Sequence, residues 1–445
     1  MKKLFLVLGV LVLVGILMIA LILPAYAQKK APTEIRVGVP APLTGMYAGF
    51  GEGYVFGMKA AVDDINKGGG VSVKESGRKL PIKLVIVNTE SDPQKAGTLA
   101  ESLIVNDKVN FMASGDEPPP MHAGVSTVAD RFKIPYVTST GPVEPWLGMR
   151  EAVEGHWQYT WATGLFAIVT PAPAGDFRAK PGYTITDTWQ AMLDMFGDKT
   201  NKKVAVFASD DPDGVGWYGL FPGFLKKLGY DVCGAEKKVG LAPMETTDFS
   251  SVIKQWKDFK CEVLWGNAPA PFVGTLLRQC VTLGFKPKMI SIGRAPLFYE
   301  DIKSWGGDIP LGIGCEIWWD PSCTDSPGIG GTTPKSLTER WAKETKKQLN
   351  RGIGPGYRSV QVLINAITRA GTLNGENVNA ALAATDLMTI GHRVKFDENH
   401  FSRGPLVFGQ WQKTDKPWVW ECPVVFSKHD FIKATAKPIF PIPYK

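Results

Sequence analysis

The residues able to do chemistry in this chain are few and scattered. Its five histidines, His122, His156, His392, His400 and His429, share no G-x-S-x-G or H-E-x-x-H context in which a base would meet a nucleophile or a metal. Each reads as a surface or structural residue, and the chain does not read as an enzyme. The six cysteines, Cys233, Cys261, Cys280, Cys315, Cys323 and Cys422, show no C-x-x-C pairing with nearby histidines, so no zinc site and no other cofactor is expected. Gly49, Gly51 and Gly53 form a G-x-G-x-G run of the kind that can cradle phosphate. No Gly-Lys-Ser/Thr follows, and a tight strand-to-helix turn is the expectation. Asp210-Asp211 suits a polar solute or a helix N-cap, with capping expected. Fourteen tryptophans can supply flat aromatic walls; Trp161, Trp217, Trp318 and Trp319 lie near predicted strand ends or crossovers.

The elements that must hold these residues alternate along the chain. A β-branched run at 35–39 is followed by Tyr54, Val55, Met58, Ala61, Val62 and Ile65 on one helical face. A strand is predicted at 84–87, and Asp92-Pro93 then supplies an N-cap and a first helical residue. Strands at 111–113 and 136–138 flank a helix near 123–132. The pattern restarts with strands at 204–207, 230–239, 263–265 and 289–292 and helices between them. Helices at 337–349 and 360–370 follow, and the chain is strand-like from Val394. Residues 170–184 and 320–334, rich in Pro and Gly, read as excursions or crossovers. This predicts an α/β protein of two doubly wound parallel-sheet lobes, with ligand chemistry in the loops beyond the carboxyl ends of the strands.

Composition narrows the classes further. With 21% charged and 44% hydrophobic residues, the chain is neither disordered nor a multi-span membrane protein. Its 50 basic and 43 acidic residues give +7, without the dense basic stripe of a nucleic-acid binder. Lys2 and Lys3 precede an apolar run from Leu4 to Leu23, then Pro24 and Ala25-Tyr26-Ala27. That is a signal-peptide pattern with cleavage expected after Ala27. The run is also long enough to span a bilayer, so an uncleaved anchor stays open. Export places the cysteines in an oxidising setting, where a local Cys315–Cys323 bridge is one expectation among fifteen full pairings.

Several stretches carry a resemblance. The segments EIRVGVPAPLTG (34–45), GEG (51–53) and GMKAAVDDINKGGG (57–70) closely resemble the opening of the branched-chain amino acid and amide-binding receptors of ABC transporters. Residues 88–96, with Ser91-Asp92-Pro93, the IPYVTS segment (134–139), Asp248-Phe249-Ser250 and VKFDEN (394–399) fit the same pattern. The resemblance runs from about 34 to about 425. It implies a type I periplasmic-binding-protein fold, two α/β lobes joined by three crossovers. The first lobe would be 32–158 with 321–408, and the second 159–320 with 409–445. It further implies a monomeric receptor that closes on a small solute, such as an amino acid, an amide or an aromatic acid, and hands it to a permease. A membrane-tethered sensor and an exported hydrolase are the competing readings.

The resemblance also implies a site. A solute carboxylate would meet Ser114, Gly115 and Asp116 in one loop and Thr138, Ser139 and Thr140 in another. Asp116 and Glu117 depart from that pattern, since acids repel a carboxylate; either they turn outward ahead of Pro118-Pro119-Pro120 or the ligand differs in polarity. Phe50, with Tyr47 beside it, would supply an aromatic wall. From the second lobe Asn267, Ala268 and Arg294 would face the solute, with Trp161 and Trp319 brought to the cleft by the crossovers. No acid occupies those second-lobe loops. Arg294 opposite a bound ammonium would cost several kcal/mol, on the order of one uncompensated charge pair, so it suits a carboxylate or other acceptor, or else lies on the surface.

Overall fold

Two separate sheets take up the predicted strands. The computed structural model describes residues 32–167, 181–324 and 326–444, so the expected signal segment and most of the first crossover lie outside the described residues. The first sheet holds β1 (Ile35–Ala41), β2 (Ile82–Asn88), β3 (Phe111–Glu117), β4 (Tyr136–Thr140) and β5 (Thr160–Gly164). The second holds β6 (Lys203–Ser209), β7 (Val263–Ala268), β8 (Met289–Arg294) and β9 (Ile313–Ile317). The chain then returns to the first sheet for β10 (Phe401–Arg403) and crosses again for β11 (Val407–Gln410) and β12 (Val424–Phe426). The orders are β10-β5-β4-β3-β1-β2 and, in the second sheet, β6-β7-β8-β9-β11-β12, with a short Leu241–Ala242 strand outside β6. All neighbours are parallel except β9·β11 and β11·β12.

The helices follow from local chemistry. Helix α1 (Ala48–Lys67) buries Tyr54, Met58 and Ala61, the stripe read from sequence. Helix α2 (Pro93–Val105) starts where Asp92 accepts from the amides of Gln94 and Lys95 at 2.8 and 3.2 Å. Helices α3 (Pro120–Phe132) and α4 (Val143–Glu151) complete the first run; α5 (Ile185–Phe196) and α6 (Pro212–Lys227) open the second lobe. After α7 (Ser250–Asp258), α8 (Ala270–Thr282), α9 (Tyr299–Trp305) and α10 (Pro334–Thr345), the buried helix α11 (Ile353–Ala370) packs along α1.

The G-x-G-x-G run is not a turn. It lies inside α1, where a Cβ at Gly51 would come within 2.3 Å of the Pro42 carbonyl oxygen and one at Gly53 within 2.2 Å of Asn350 Oδ1. The glycines let the helix approach its neighbours, which is a packing role.

Several boundaries move. The buried Thr160–Gly164 run pairs with β4, so the first crossover follows Gly164 instead of residue 158. Strand β11 belongs to the second sheet, so the last crossover falls between Arg403 and Val407 instead of after 408. Nothing in a buried apolar run marks which of two sheets it will join. The expected strand at 230–239 shrinks to Asp231–Val232, because Gly234 and Lys238 turn left-handed at φ 62° and 50°. Cys315 Sγ lies 3.7 Å from Cys422 Sγ, while Cys323 pairs its backbone with Ile432; the expected Cys315–Cys323 contact is absent, and all six cysteines are buried thiols.

Candidate functional site: the cleft between the lobes

Strand ends of both sheets converge on one small cavity of about 50 Å³. The first lobe contributes Phe50 from α1, Asp116 from β3 and the Gly141-Pro142 turn after β4. The second contributes Asp213 and Trp217 from α6, Asn267 from β7, Arg294 from β8 and Glu316 from β9. Leu165 and Trp318, from the connecting segments, and Ile185, the first residue of α5, also line it, with Pro118 and Leu297. Phe50 makes an edge-to-face contact with Phe298 at 4.7 Å and faces Trp318 at 6.4 Å with 28° between the rings, so aromatic packing spans the lobes.

On the second lobe, charge is organised around Arg294, which ends β8 at φ 62°. Its Nη1 donates to Asp213 Oδ2 at 2.9 Å and Asp211 Oδ1 at 3.1 Å; Nη2 donates to Asp211 Oδ2 at 2.8 Å and Ser209 Oγ at 2.9 Å. Asp211 also caps α6 through the amides of Asp213 and Gly214, the role its sequence predicts. Burial pushes the Asp211 carboxyl up, but Arg294, Ser209 and the Gly214 amide outweigh it and hold the group below its usual range. Asp213 receives Asn267 Nδ2 at 2.9 Å and Trp217 Nε1 at 3.1 Å. The guanidinium therefore does have acids beside it, supplied by the loop after β6 and the start of α6, not by the loops after β7 and β8.

The first lobe behaves differently. A register shift between Ala113 and Asp116 in the β3·β4 ladder re-aims the strand end. Ser114 turns inward, sharing hydrogen bonds with the Tyr136 and Thr138 hydroxyls at 2.5 and 2.6 Å. Thr138 Oγ1 donates to the Gly115 carbonyl at 3.3 Å, and Thr140 Oγ1 to the Glu117 carbonyl at 3.0 Å. Gly115 backs onto Tyr54, where a Cβ would sit 2.1 Å away. Ser139 Oγ donates to Asp116 Oδ1 at 3.3 Å, and Asp116 points into the cavity, not outward. Burial raises the Asp116 carboxyl to about 6 against the pull of Arg358 and Ser139. Burial likewise raises Glu117 to about 8; Tyr54 donates to it at 2.8 Å, and it too stays inside. Burial depresses His122, beneath this network, to about 4.

Glu316 was not anticipated. It is 8% exposed, its Oε2 has no hydrogen-bond partner among the described residues, and burial raises it to about 7, with the backbone amides lowering it and Asp213 and Asp116 raising it further. Its signal in the sequence was a lone acid within the apolar run Ile313–Ile317, where an unpaired charge is unusual. Asp213 was overlooked two residues beyond the recognised cap.

The remaining predicted residues divide. Tyr47 stands at the rim, its ring 6.5 Å from Phe50; burial raises its hydroxyl, with Arg294, Asp213 and Asp211 all near enough to act on it. Ala268 is buried in the second-lobe core instead of lining the cavity. Trp161 stacks on His400 at 3.7 Å and donates to Asn379 Oδ1 at 2.7 Å, inside the first lobe and away from the cleft. Trp319 lies flat against Gly354 and donates to the Ile390 carbonyl at 3.2 Å. Its neighbour Trp318 lines the cavity instead, as adjacent residues of an extended segment point opposite ways. Among the described residues no group of His, Cys, Asp and Glu is arranged to hold a metal ion.

A family model described as periplasmic binding protein matches residues 34–416 of the chain. The chain belongs to the periplasmic binding protein family. A Leu/Ile/Val-binding protein homolog from Brucella melitensis biotype 1 is 37% identical over 361 residues, covering 77% of this chain and 81% of the relative. The fold is that of a leucine binding protein from Thermotoga maritima, with a TM-score of 0.65 at 20% identity over 88% of this chain and 99% of the other. A Rhodopseudomonas palustris transporter receptor crystallised with 3,4-dihydroxybenzoic acid gives 0.64 at 20% identity, covering 91% and 99%. These are type I receptors, and the family implies an extracytoplasmic location. Among the described residues no helix is long and apolar enough to cross a membrane.

Proposed function

We propose that this chain is the solute receptor of an ABC importer, binding one small organic molecule by hinge closure and passing it unchanged to a permease. The observation that carries this reading is the cavity walled by both lobes at the carboxyl ends of their strands. Contacts made from both sides exist only when the lobes are together, so a solute that uses them shifts the population toward the closed form. Phe50, Phe298 and Trp318 form the aromatic part of that closure, and Arg294, Asp213, Asn267 and Glu316 the polar part. A micromolar solute needs about −8 kcal/mol, within reach of a few hydrogen bonds and one stacked ring. The protein acts as a monomer exported by its amino-terminal segment.

The test is a thermal-shift screen of amino acids, amides, amines and aromatic acids, followed by small-angle scattering with each hit. A binder raises the melting temperature and shrinks the radius of gyration as the lobes close. A screen without hits, or a hit that leaves the radius unchanged, overturns the receptor reading. Chemical conversion of a hit would make the protein an enzyme instead.

A further inference from the structure

The cleft has the opposite charge from the one an anion site needs. The hydroxyls expected to receive a carboxylate are engaged elsewhere: Ser114 with Tyr136 and Thr138, Thr140 with the Glu117 carbonyl, Ser139 with Asp116. Three carboxylates, Asp116, Asp213 and Glu316, line the cavity against one guanidinium. Both terminal nitrogens of that guanidinium already donate to Asp211, Asp213 and Ser209. Glu316, more than nine-tenths buried, lines this space, and its Oε2 has no hydrogen-bond partner among the described residues; a buried acceptor left unmatched is costly. Trp318, which lines the same cavity, likewise has an Nε1 without a hydrogen-bond partner among the described residues.

We propose that the solute carries a cationic nitrogen head, an ammonium, amidinium or guanidinium group, seated between Glu316 and Asp116 against the rings of Phe50 and Trp318. This rests on the receptor reading above and names the class of its solute. The head's N–H groups satisfy Glu316 Oε2, and its charge is stabilised both by the carboxylates and by the aromatic faces. An acceptor elsewhere on the solute meets Trp318 Nε1. A carboxylate entering the same space would face three acids. Burial raises both carboxyls, Glu316 to about 7 and Asp116 to about 6, the latter against the pull of Arg358. The charged groups around them are Asp213, Arg294 and Cys315 near Glu316, and Arg358 and Glu117 near Asp116.

Calorimetry and thermal shift on the full protein test this with the chlorides of ethylammonium, acetamidinium, methylguanidinium and tetramethylammonium, against sodium acetate, benzoate and 3,4-dihydroxybenzoate and the zwitterion leucine. At least one cation binds at pH 8, more tightly than every carboxylate and than leucine. Its affinity falls at least tenfold at pH 5, where protons occupy Glu316 and Asp116. Glu316→Gln loses tenfold or more at pH 8 with the ligand-free melting temperature within a few degrees; Asp116→Asn provides the same reading if Glu316→Gln does not fold. Preference for a carboxylate or leucine, or cation binding equal at both pH values, overturns the cation assignment and leaves the receptor standing. No response to any probe overturns both.

Discussion

At the first lobe's edge of the cleft, Ser114, Thr138, Ser139 and Thr140 hydrogen-bond between the adjacent strands β3 and β4, while at the second lobe's edge Arg294, Asp213, Asn267 and Glu316 line the cavity. Both edges are built the same way, from the carboxyl ends of parallel strands. They differ in what the polar atoms already have as partners. Apart from Asp116, the first edge is a finished network that fixes shape; the second leaves Glu316 Oε2 unmatched among the described residues and so has something to recognise with.

The largest effect that would break this contrast lies at Arg294. Arg294→Ala strands Asp211 and Asp213 against each other and should destabilise the ligand-free protein by about 3 kcal/mol, read from urea unfolding. A loss below about 1 kcal/mol would place the charge cluster in solvent. Next comes the finished network: Tyr54→Phe removes the donor to Glu117 and should cost about 1–2 kcal/mol. A solute contact follows, with Phe50→Ala weakening the tightest probe by about 1 kcal/mol at unchanged fold. Smallest of all, Ser139→Ala should move probe affinity by less than about 0.5 kcal/mol, as its hydroxyl serves Asp116 and not the solute. A tenfold loss there would return the hydroxyls to the binding site.

The same network has a pH signature. The Glu117 carboxyl titrates near 8 when folded and near 4.5 when unfolded, so between these values the folded state holds the extra proton. Stability contributed by the neutral acid is therefore lost as pH rises. Below pH 6.5 the depressed buried histidines His122 and His400 work in the opposite sense. Between pH 7 and 8 Glu117 dominates, with Glu316 adding to it near pH 7, and the unfolding free energy should fall with pH. Glu117→Gln should reduce that slope, most of all between about pH 7.5 and 8; an unchanged slope would mean another group sets it.

Much of the fold could be read from residue patterns because burial periodicity and caps act locally. The stripe on α1 and the Asp92-Pro93 start of α2 depend on neighbours within a turn or two. What could not be read depends on distant partners. Arg294 was visible as a charge at a strand end, but the acids that hold it come from 81 and 83 residues away. Ser114 and Thr138 had the right chemistry at the right strand ends, yet a register shift turned their oxygens inward. Trp318 and Trp319 differ by one position and point to opposite environments. Residue type announced the chemistry, and tertiary pairing decided whether it was still available.

The return of the chain to the first sheet has a consequence for how the molecule is made. Helix α11 covers α1, and β10 closes the sheet beside β5, yet both come after β6 to β9 in the chain. As synthesis proceeds, the amino-terminal half lacks the helix that packs along α1 until residue 370 has emerged. The middle segment, by contrast, already has four adjacent strands by residue 317. The order of maturation is thus reversed relative to the order of translation, and the exposed face of the early strands is the part that needs shielding in the interval.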